Sequence, residues 1–144
     1  MPADPGRVMA LDYGKRRIGV ALSDPLRIIA RGAGTIENSS ALFNRLADLV
    51  RGENVVLVVV GMPYAPDGGV GSQGEEVLRF IGQLRATLGL PVETWDESRT
   101  SVDAARALRD GGMKRKQRRQ KARVDEMAAR ILLQEFLESL HHRQ

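Results

Sequence analysis

The sequence contains no cysteine, and its only two histidines, His141 and His142, lie among the last four residues. Without cysteine there is no disulfide, no thiolate zinc site and no cysteine nucleophile. Histidines in a fraying terminus are poorly placed for a catalytic triad, a general base or a histidine-rich metal site. Any chemistry must therefore depend on carboxylates, lysine, arginine and hydroxyl groups.

Long apolar runs are also missing from the chain. None approaches the roughly 18 residues of a membrane span, and the opening MPADPG lacks the apolar core of a signal peptide. We therefore expect a cytoplasmic protein with no membrane partner. A length of 144 residues suits one domain over residues 1–144, and we expect flexible tails at residues 1–6 and 141–144.

Positive charge is concentrated in one short stretch. Met113–Val124 carries seven basic residues and no acidic residue, whereas the whole chain has a net charge of only +4. A run of like charge is usually a solvated loop, but it can also bind the phosphates of a nucleic acid. The run contains no aromatic residue, so base stacking is not indicated there.

The first elements have the pattern of strands. Val8–Leu11 and Ile18–Leu22 are short apolar runs on either side of a basic, glycine-containing turn, which predicts a β-hairpin. Asp12 then lies at the mouth of the turn. Arg27–Ile36 can add a third antiparallel strand, in which two glycines indicate a bulge.

The rest of the chain alternates between helical and extended patterns, and the pattern predicts an α/β domain with helices packed on one sheet. We predict a helix from Ala41 to about Gly52, capped within Asn38–Ser40, and then a buried parallel strand Asn54–Gly61. After a loop Met62–Gly71, a Ser72/Glu75 capping box begins a helix that stops at Gly89. The predicted elements that follow are an extended segment Val92–Trp95, a helix begun by Thr100 or Ser101, and an amphipathic helix Val124–Leu140.

The last helix carries an acid on its apolar face. At about 100° per residue, Ala129, Leu132 and Phe136 lie within roughly 40° of the direction of Asp125. A first-turn acid gains only ~0.3–1 kcal/mol from the helix dipole, and Glu126 would serve that purpose equally well. The position of Asp125 therefore indicates a function.

Two further acids stand at strand ends. Asp12 ends the first strand, where a buried carboxylate is costly unless its charge is used. Asp96 and Glu97 follow the extended segment Val92–Trp95, at the edge where open α/β sheets bind ligands. Either of the two could instead be a solvated loop acid or a helix N-cap.

Asp12, Glu97 and Asp125 together form a set of carboxylates with no histidine or cysteine beside it, which suits a hard divalent cation such as Mg²⁺. Two such ions, ~3.5–4 Å apart, can promote phosphodiester hydrolysis. The candidate phosphate-binding residues are Lys15, Arg16, Arg17, Arg99, Lys114, Arg115, Lys116, Arg118 and Arg119.

Four segments resemble, in this order and spacing, the YqgF family, also called RuvX. They are LDYGKRRIGVALSD, VVVGMPYAPDGG, WDESRTS and RVDEMAARILLQEFL, and the resemblance runs from about Val8 to Leu137. It implies a ribonuclease H-like fold with a mixed five-stranded sheet, three antiparallel strands followed by parallel ones. It also implies a nuclease that processes the 5′ end of precursor 16S ribosomal RNA, in a family earlier described as Holliday junction resolvases.

The family's acidic positions fall on Asp12, Glu97 and Asp125, which implies that these residues are catalytic and bind Mg²⁺ or Mn²⁺. One position departs from the family. Members often have arginine directly after the glutamate of the third motif, where this chain has Ser98 and then Arg99. An offset of one residue could point the guanidinium away from the site.

Other functions fit parts of the sequence. Gly69–Gly74 spells the dinucleotide-binding pattern G-x-G-x-x-G, but a loop with two prolines separates it from the preceding strand. Asp12, Gly14 and Gly19 resemble the phosphate-binding hairpin of actin-like ATPases, which need two such domains. A resolvase acting on branched DNA and a non-catalytic RNA-binding protein in ribosome maturation are the remaining alternatives.

Overall fold

The computed structural model describes residues 5–65, 67–97 and 116–142. The helix predicted after Thr100 or Ser101 lies outside this part of the chain. In chain order the elements are β1 (Arg7–Asp12), β2 (Arg17–Ser23), β3 (Ala30–Glu37), α1 (Leu42–Gly52), β4 (Val55–Met62), α2 (Ser72–Leu88), β5 (Val92–Asp96) and α3 (Lys116–His142).

The five strands form one mixed sheet in the order β3-β2-β1-β4-β5. β1 pairs antiparallel with β2, and β2 pairs antiparallel with β3. β4 is parallel to both of its neighbours, β1 and β5. The predicted arrangement of three antiparallel strands followed by parallel strands is therefore confirmed.

The predicted bulge lies in β3. Gly19 of β2 pairs with Thr35, whereas Ala21, two residues on, pairs with Gly32, so β3 contains one extra residue at this point. Gly34 within the bulge has a φ of +85°, a conformation that glycine adopts at little cost because it has no Cβ.

The predicted caps of the first two helices are wrong, although the helices themselves are present. Ala41 stands at the N-cap of α1 and Gly71 at that of α2, and neither has a side-chain cap hydrogen bond. The Asn38 side chain instead donates to the carbonyl of Gly14 at 2.9 Å, which braces the β1–β2 turn. Gly89 ends α2 as predicted, with a φ of +64°.

The last helix begins earlier than predicted. It already includes Lys116, so Asp125 is not a first-turn residue and the helix dipole does not account for it. The solvated-loop interpretation is likewise wrong for the second half of the basic run. Lysine, arginine, glutamine and alanine are all good helix formers, and no glycine or proline follows Gly112.

The sheet separates two apolar clusters. Met9 and Leu11 of β1 face the cluster formed with α1 and α2. Val8 and Ala10, which alternate with them, face the cluster under α3. Of the residues that the structure describes, no helix is both long enough and apolar enough to cross a membrane.

The C-terminal part of α3 is fixed to the β2–β3 loop. Gln134 accepts a hydrogen bond from the amide of Ala30 at 2.9 Å and donates to the carbonyl of Ile28 at 3.1 Å. Within the loop, the carboxylate of Asp24 accepts from the amides of Ile28 and Ile29 at 2.7 and 2.8 Å. These bonds hold the helix in place across the α3 face of the sheet.

Candidate active site

Asp12 lies on the face of the sheet that α3 covers. Side chains alternate along a strand, so Asp12 shares the face of Val8 and Ala10, both of which pack under α3. Asp12 is also the last residue of β1, which is parallel to β4. It therefore stands at the edge of the sheet formed by the carboxyl ends of the parallel strands.

Glu97 reaches the same face from the end of β5. An ideal Cβ built on Gly61 of β4 would lie 2.7 Å from the Glu97 Cδ and 2.5 Å from the Leu132 Cδ1 of α3. The Glu97 carboxylate thus fills the space that the missing side chain leaves between β4 and α3. Val60 pairs with Leu11, so the register continued by one residue puts Gly61 beside Asp12.

The alternation of β5 distinguishes Glu97 from Asp96. Trp95 packs in the cluster under α3, so Asp96 points to the opposite face, where it pairs in register with Met62 of β4. The sequence allows either Asp96 or Glu97 to be a solvated acid. The structure brings Glu97, and not Asp96, to the face of the sheet on which Asp12 lies.

Asp125 is brought close to Asp12 by a contact between the backbones of α3 and β2. The place where Asp12, Glu97 and Asp125 meet is called the corner of the sheet. Gly19 pairs with Asp12 across the hairpin, and a Cβ on Gly19 would lie 2.6 Å from the carbonyl carbon of Asp125. The backbone of α3 therefore lies almost directly on β2 at the residue that pairs with Asp12.

All three acids are buried. Asp12 and Glu97 are each 2% exposed and Asp125 is 5% exposed. Burial of a charged carboxylate is unfavourable unless opposite charge or hydrogen bonds compensate for it. Asp125 has such compensation, since the Nε of Arg17 lies 3.6 Å from its Oδ2.

The three carboxylates converge on one corner, but they are not arranged as ligands of one ion. Among the residues that the structure describes, no group of three acidic or histidine side chains has the spacing to hold a metal ion. The donor chemistry does fit a hard divalent cation, because all the donors are carboxylate oxygens.

A basic cleft of about 780 Å³ opens beside Asp125. It brings together the basic turn between β1 and β2, the first turns of α2 and one face of α3. The residues that line it are Tyr13, Gly14, Lys15, Arg16, Arg17, Ser72, Gln73, Glu76, Arg79, Lys121 and Asp125. The cleft therefore has an excess of positive charge next to one acid of the site.

Tyr13, directly after Asp12, forms part of the cleft wall. Its hydroxyl donates to Oε1 of Glu76 at 3.2 Å, and its ring lies 4.8 Å from that of Phe80. Burial, with the nearby negative charge of Glu76, raises the pKa of Tyr13 above its ordinary value of 10.0. Tyr13 is therefore a neutral hydrogen-bond donor at physiological pH.

The structure describes only some of the predicted phosphate-binding residues. Lys15, Arg16 and Arg17 all line the cleft. Arg99, Lys114 and Arg115 lie outside the described residues. The backbone of residues 116–119, which include the predicted Lys116, Arg118 and Arg119, belongs to α3 and precedes Lys121 of the cleft in the same helix.

Sequence reasoning missed several residues of this site. Gly19 and Gly61 create the space for Asp125 and Glu97, and a glycine inside a strand pattern is a general signal of close backbone approach. Arg79 has no such signal, because an exposed arginine on an amphipathic helix looks like any solvated residue. It joins the site only because α2 begins beside the basic turn.

The sheet order and the acids under a long helix define the ribonuclease H-like fold, which this chain shares with resolvases. It is similar to Thermus thermophilus RuvC, solved in complex with a Holliday junction substrate, with a TM-score of 0.54 and 13% sequence identity over 94% of this chain and 96% of that chain. The predicted fold is therefore confirmed.

The chain belongs to the RuvX family, whose model is described as "Holliday junction resolvase" and matches residues 6–139. It is 46% identical over 142 residues to a protein of Roseiflexus sp. (strain RS-1) named "Putative pre-16S rRNA nuclease", covering 96% of this chain and 99% of that protein. A protein of the same name from Chlorobium luteolum is 43% identical over 92% of this chain and 94% of its own length. The resemblance read from the four motifs is thus confirmed, and the family is one of phosphodiester-hydrolysing enzymes.

Proposed function

We propose that this protein is a metal-dependent nuclease that processes the 5′ end of precursor 16S ribosomal RNA. The observation that carries the proposal is the convergence of Asp12, Glu97 and Asp125, all buried, at one corner of the sheet next to the basic cleft. The name shared by the similar proteins supports this choice of substrate. Such a substrate would put the protein in the cytoplasm.

In this proposal Asp12, Glu97 and Asp125 would hold Mg²⁺ or Mn²⁺. When bound, such ions activate a water molecule and stabilise the oxygen that leaves the phosphorus. The protein supplies carboxylates fixed by three different elements, so that the position of each depends on the packing of α3 on the sheet. Burial of these carboxylates under α3 keeps bulk water from competing for their oxygens.

The exposed side chains of the basic turn would bind the phosphate backbone. Lys15 and Arg16 are exposed at the mouth of the cleft, and Arg79 and Lys121 line its other walls. Each phosphate neutralised by such a residue releases counterions, which makes affinity fall steeply with salt. We propose the same role for the remaining predicted basic residues, namely Arg99, Lys114, Arg115, Lys116, Arg118 and Arg119.

The proposal is tested by comparing the cleavage of precursor 16S ribosomal RNA by the wild type, Asp12→Asn and Asp125→Asn. Asp48→Asn is the matched control, because Asp48 is an exposed acid of α1 that does not line the cleft. With Mg²⁺ or Mn²⁺, the wild type and the control should cleave near the 5′ end. The two site variants should not cleave, yet they should bind the RNA as well as the wild type in the absence of metal.

Wild-type cleavage no faster than that of Asp125→Asn would defeat the enzymatic part of the proposal. Binding without cleavage would instead support the non-catalytic RNA-binding alternative.

A second candidate is a resolvase that cuts branched DNA. The description of the family and the fold shared with Thermus thermophilus RuvC favour it. The same acids and cations would serve either substrate, so the two candidates differ only in what enters the cleft. Cleavage of a four-way DNA junction, measured beside the ribosomal RNA precursor under identical conditions, distinguishes them.

A further inference from the structure

Arg17 differs from the other two basic residues of its turn. Lys15 and Arg16 are exposed, whereas the side chain of Arg17 is only 20% exposed. Its Nε lies 3.6 Å from the Oδ2 of Asp125, a carboxylate that is itself only 7% exposed. Arg17 therefore neutralises an acid of the candidate site, whereas Lys15 and Arg16 face solvent.

The backbone fixes this pair. Arg17 begins β2 and shares the face of Gly19, two residues further on. Gly19 is where β2 touches the backbone of α3 at Asp125. The strand and the helix thus hold the guanidinium and the carboxylate against each other without a flexible loop between them.

Asp125 is the one of the three acids that meets both the cleft and Arg17. Of Asp12, Glu97 and Asp125, only Asp125 lines the basic cleft, together with Arg17. Within the described part of the chain no group of three acidic or histidine side chains is spaced to hold a metal ion. In the structure the Asp125 carboxylate is thus paired with a protein cation, whereas in the proposed function it would pair with a metal cation.

We propose that Arg17 is an exchangeable counter-ion, which holds Asp125 in the free protein and transfers to a phosphate of the bound nucleic acid. A guanidinium binds carboxylates and phosphates with the same pair of parallel donors. It stays protonated, so its charge needs a partner in either state. Transfer to the phosphate removes the competition of Arg17 with the divalent cation for the Asp125 carboxylate.

This inference rests on the proposed function and adds an order of assembly to it. A metal ion that arrives alone must displace Arg17 from Asp125, whereas a metal ion that arrives with the nucleic acid need not. The metal and the nucleic acid should therefore bind cooperatively. Because such coupling is reciprocal, each should strengthen the binding of the other by the same factor.

The first test measures Mn²⁺ binding to the full chain by isothermal titration calorimetry in the absence of nucleic acid. Arg17→Gln should bind Mn²⁺ up to about fivefold more tightly than the wild type, the upper limit expected for removing one competing ion pair near the surface. Arg16→Gln is the matched control, since it removes the same charge from the same cleft without freeing a carboxylate. It should change the affinity by about twofold or less.

The second test repeats the Mn²⁺ titration with a ten-nucleotide single-stranded RNA present, and a gel checks that the RNA stays intact. Because Arg16→Gln should itself bind RNA more weakly, the RNA is added at a concentration that saturates each protein. Under that condition the RNA should tighten Mn²⁺ binding to the wild type and to Arg16→Gln. It should have little effect on Arg17→Gln, in which the ion pair of Arg17 with Asp125 no longer competes with Mn²⁺. Arg17→Lys keeps the charge on a shorter donor, so the effect of RNA on its Mn²⁺ affinity should lie between the effects on the wild type and on Arg17→Gln. It replaces Arg17→Gln in the test if circular dichroism shows that Arg17→Gln is poorly folded.

Two results would overturn the exchange while leaving the proposed nuclease intact. One is equal Mn²⁺ affinity for Arg17→Gln and Arg16→Gln; the other is weaker binding to Arg17→Gln, which would make Arg17 a fixed support of the metal site. An absence of Mn²⁺ binding to every protein, together with no RNA cleavage by the wild type, would instead defeat the proposed function and this inference with it.

Discussion

Replacing Gly61 with alanine tests whether the position of Glu97 controls the cleavage rate. A Cβ at this position would lie 2.7 Å from the Cδ of Glu97 and 2.5 Å from the Cδ1 of Leu132, although real Cβ atoms essentially never approach another atom within 3.0 Å. The Glu97 carboxylate would have to move by about 1 Å, a displacement that can cost a catalytic site roughly 10²-fold in rate. Overpacking against Leu132 should also lower the free energy of unfolding by about 1–3 kcal/mol.

The assay is the rate of precursor 16S ribosomal RNA cleavage at saturating Mn²⁺, beside thermal and urea unfolding of the same preparations. Gly82→Ala is the matched control, because nothing lies within 4 Å of a Cβ at that position of α2. It should keep the wild-type rate and raise the free energy of unfolding by about 0.5–1 kcal/mol, since alanine favours a helix interior.

A Gly61→Ala protein with the wild-type cleavage rate would refute the reasoning, whatever its stability. If stability fell while the rate held, Leu132 would be the side chain that yields to the new methyl group, and Glu97 would keep its place. A lower rate at unchanged melting temperature would be the clearest support, because it would separate the placement of Glu97 from the stability of the fold.

Three further substitutions have expected outcomes. Gly19→Ala should weaken the contact of β2 with α3 at Asp125 and lower both the melting temperature and the cleavage rate, whereas Gly52→Ala, with open space around its Cβ, should lower neither. Replacing Lys15 and Arg16 together by glutamine should weaken RNA binding and reduce the slope of log affinity against log salt by about 1.4 for a single strand, measured by fluorescence anisotropy; an unchanged slope would remove both from the phosphate contacts. Burial opposes ionisation of Asp24, but hydrogen bonds from two following amides lower its pKa below the ordinary value of 3.8. The negative charge of Asp24 therefore stabilises the fold fully at pH values above the ordinary pKa of 3.8. This stabilisation is lost as the pH falls through the lowered pKa of the folded protein. Because these hydrogen bonds are exposed to solvent, Asp24→Asn should cost only about 0.5 kcal/mol at pH 7, and its difference from the wild type in urea unfolding should shrink at acid pH; a difference that is constant from pH 7 to pH 3 would contradict this assignment.

Some of the site follows from local sequence alone. The spacing of apolar residues is enough to put Asp125 on the buried stripe of its helix, because burial of an amphipathic helix follows from its period. Alternation along β1 similarly turns Asp12 toward α3. The residue at which α3 starts cannot be predicted from local sequence, because a basic run is compatible with an exposed helix face as well as with a solvated loop.

Other parts of the site depend on contacts between distant segments. Gly61 ends an apolar run and looks like the boundary of a strand, and only the fold shows that the carboxylate of Glu97 occupies the space beside it. The partner of Arg17 is equally hidden, since three neighbouring basic residues of one turn have the same local pattern. Their different exposure appears only when α3 packs across β2.

The position of the acids on one face of the sheet has a consequence for engineering the protein. The α1 and α2 cluster lies on the face of the sheet opposite the Asp12 side chain, so volume-conserving exchanges within it leave the packing under α3 unchanged, except at Phe80, whose ring contacts Tyr13 of the cleft wall. Packing under α3 offers no such freedom, because Leu132 contacts the space that Glu97 fills. A more heat-resistant variant that keeps the working geometry should therefore be sought among the buried residues of α1 and α2 that do not contact the cleft.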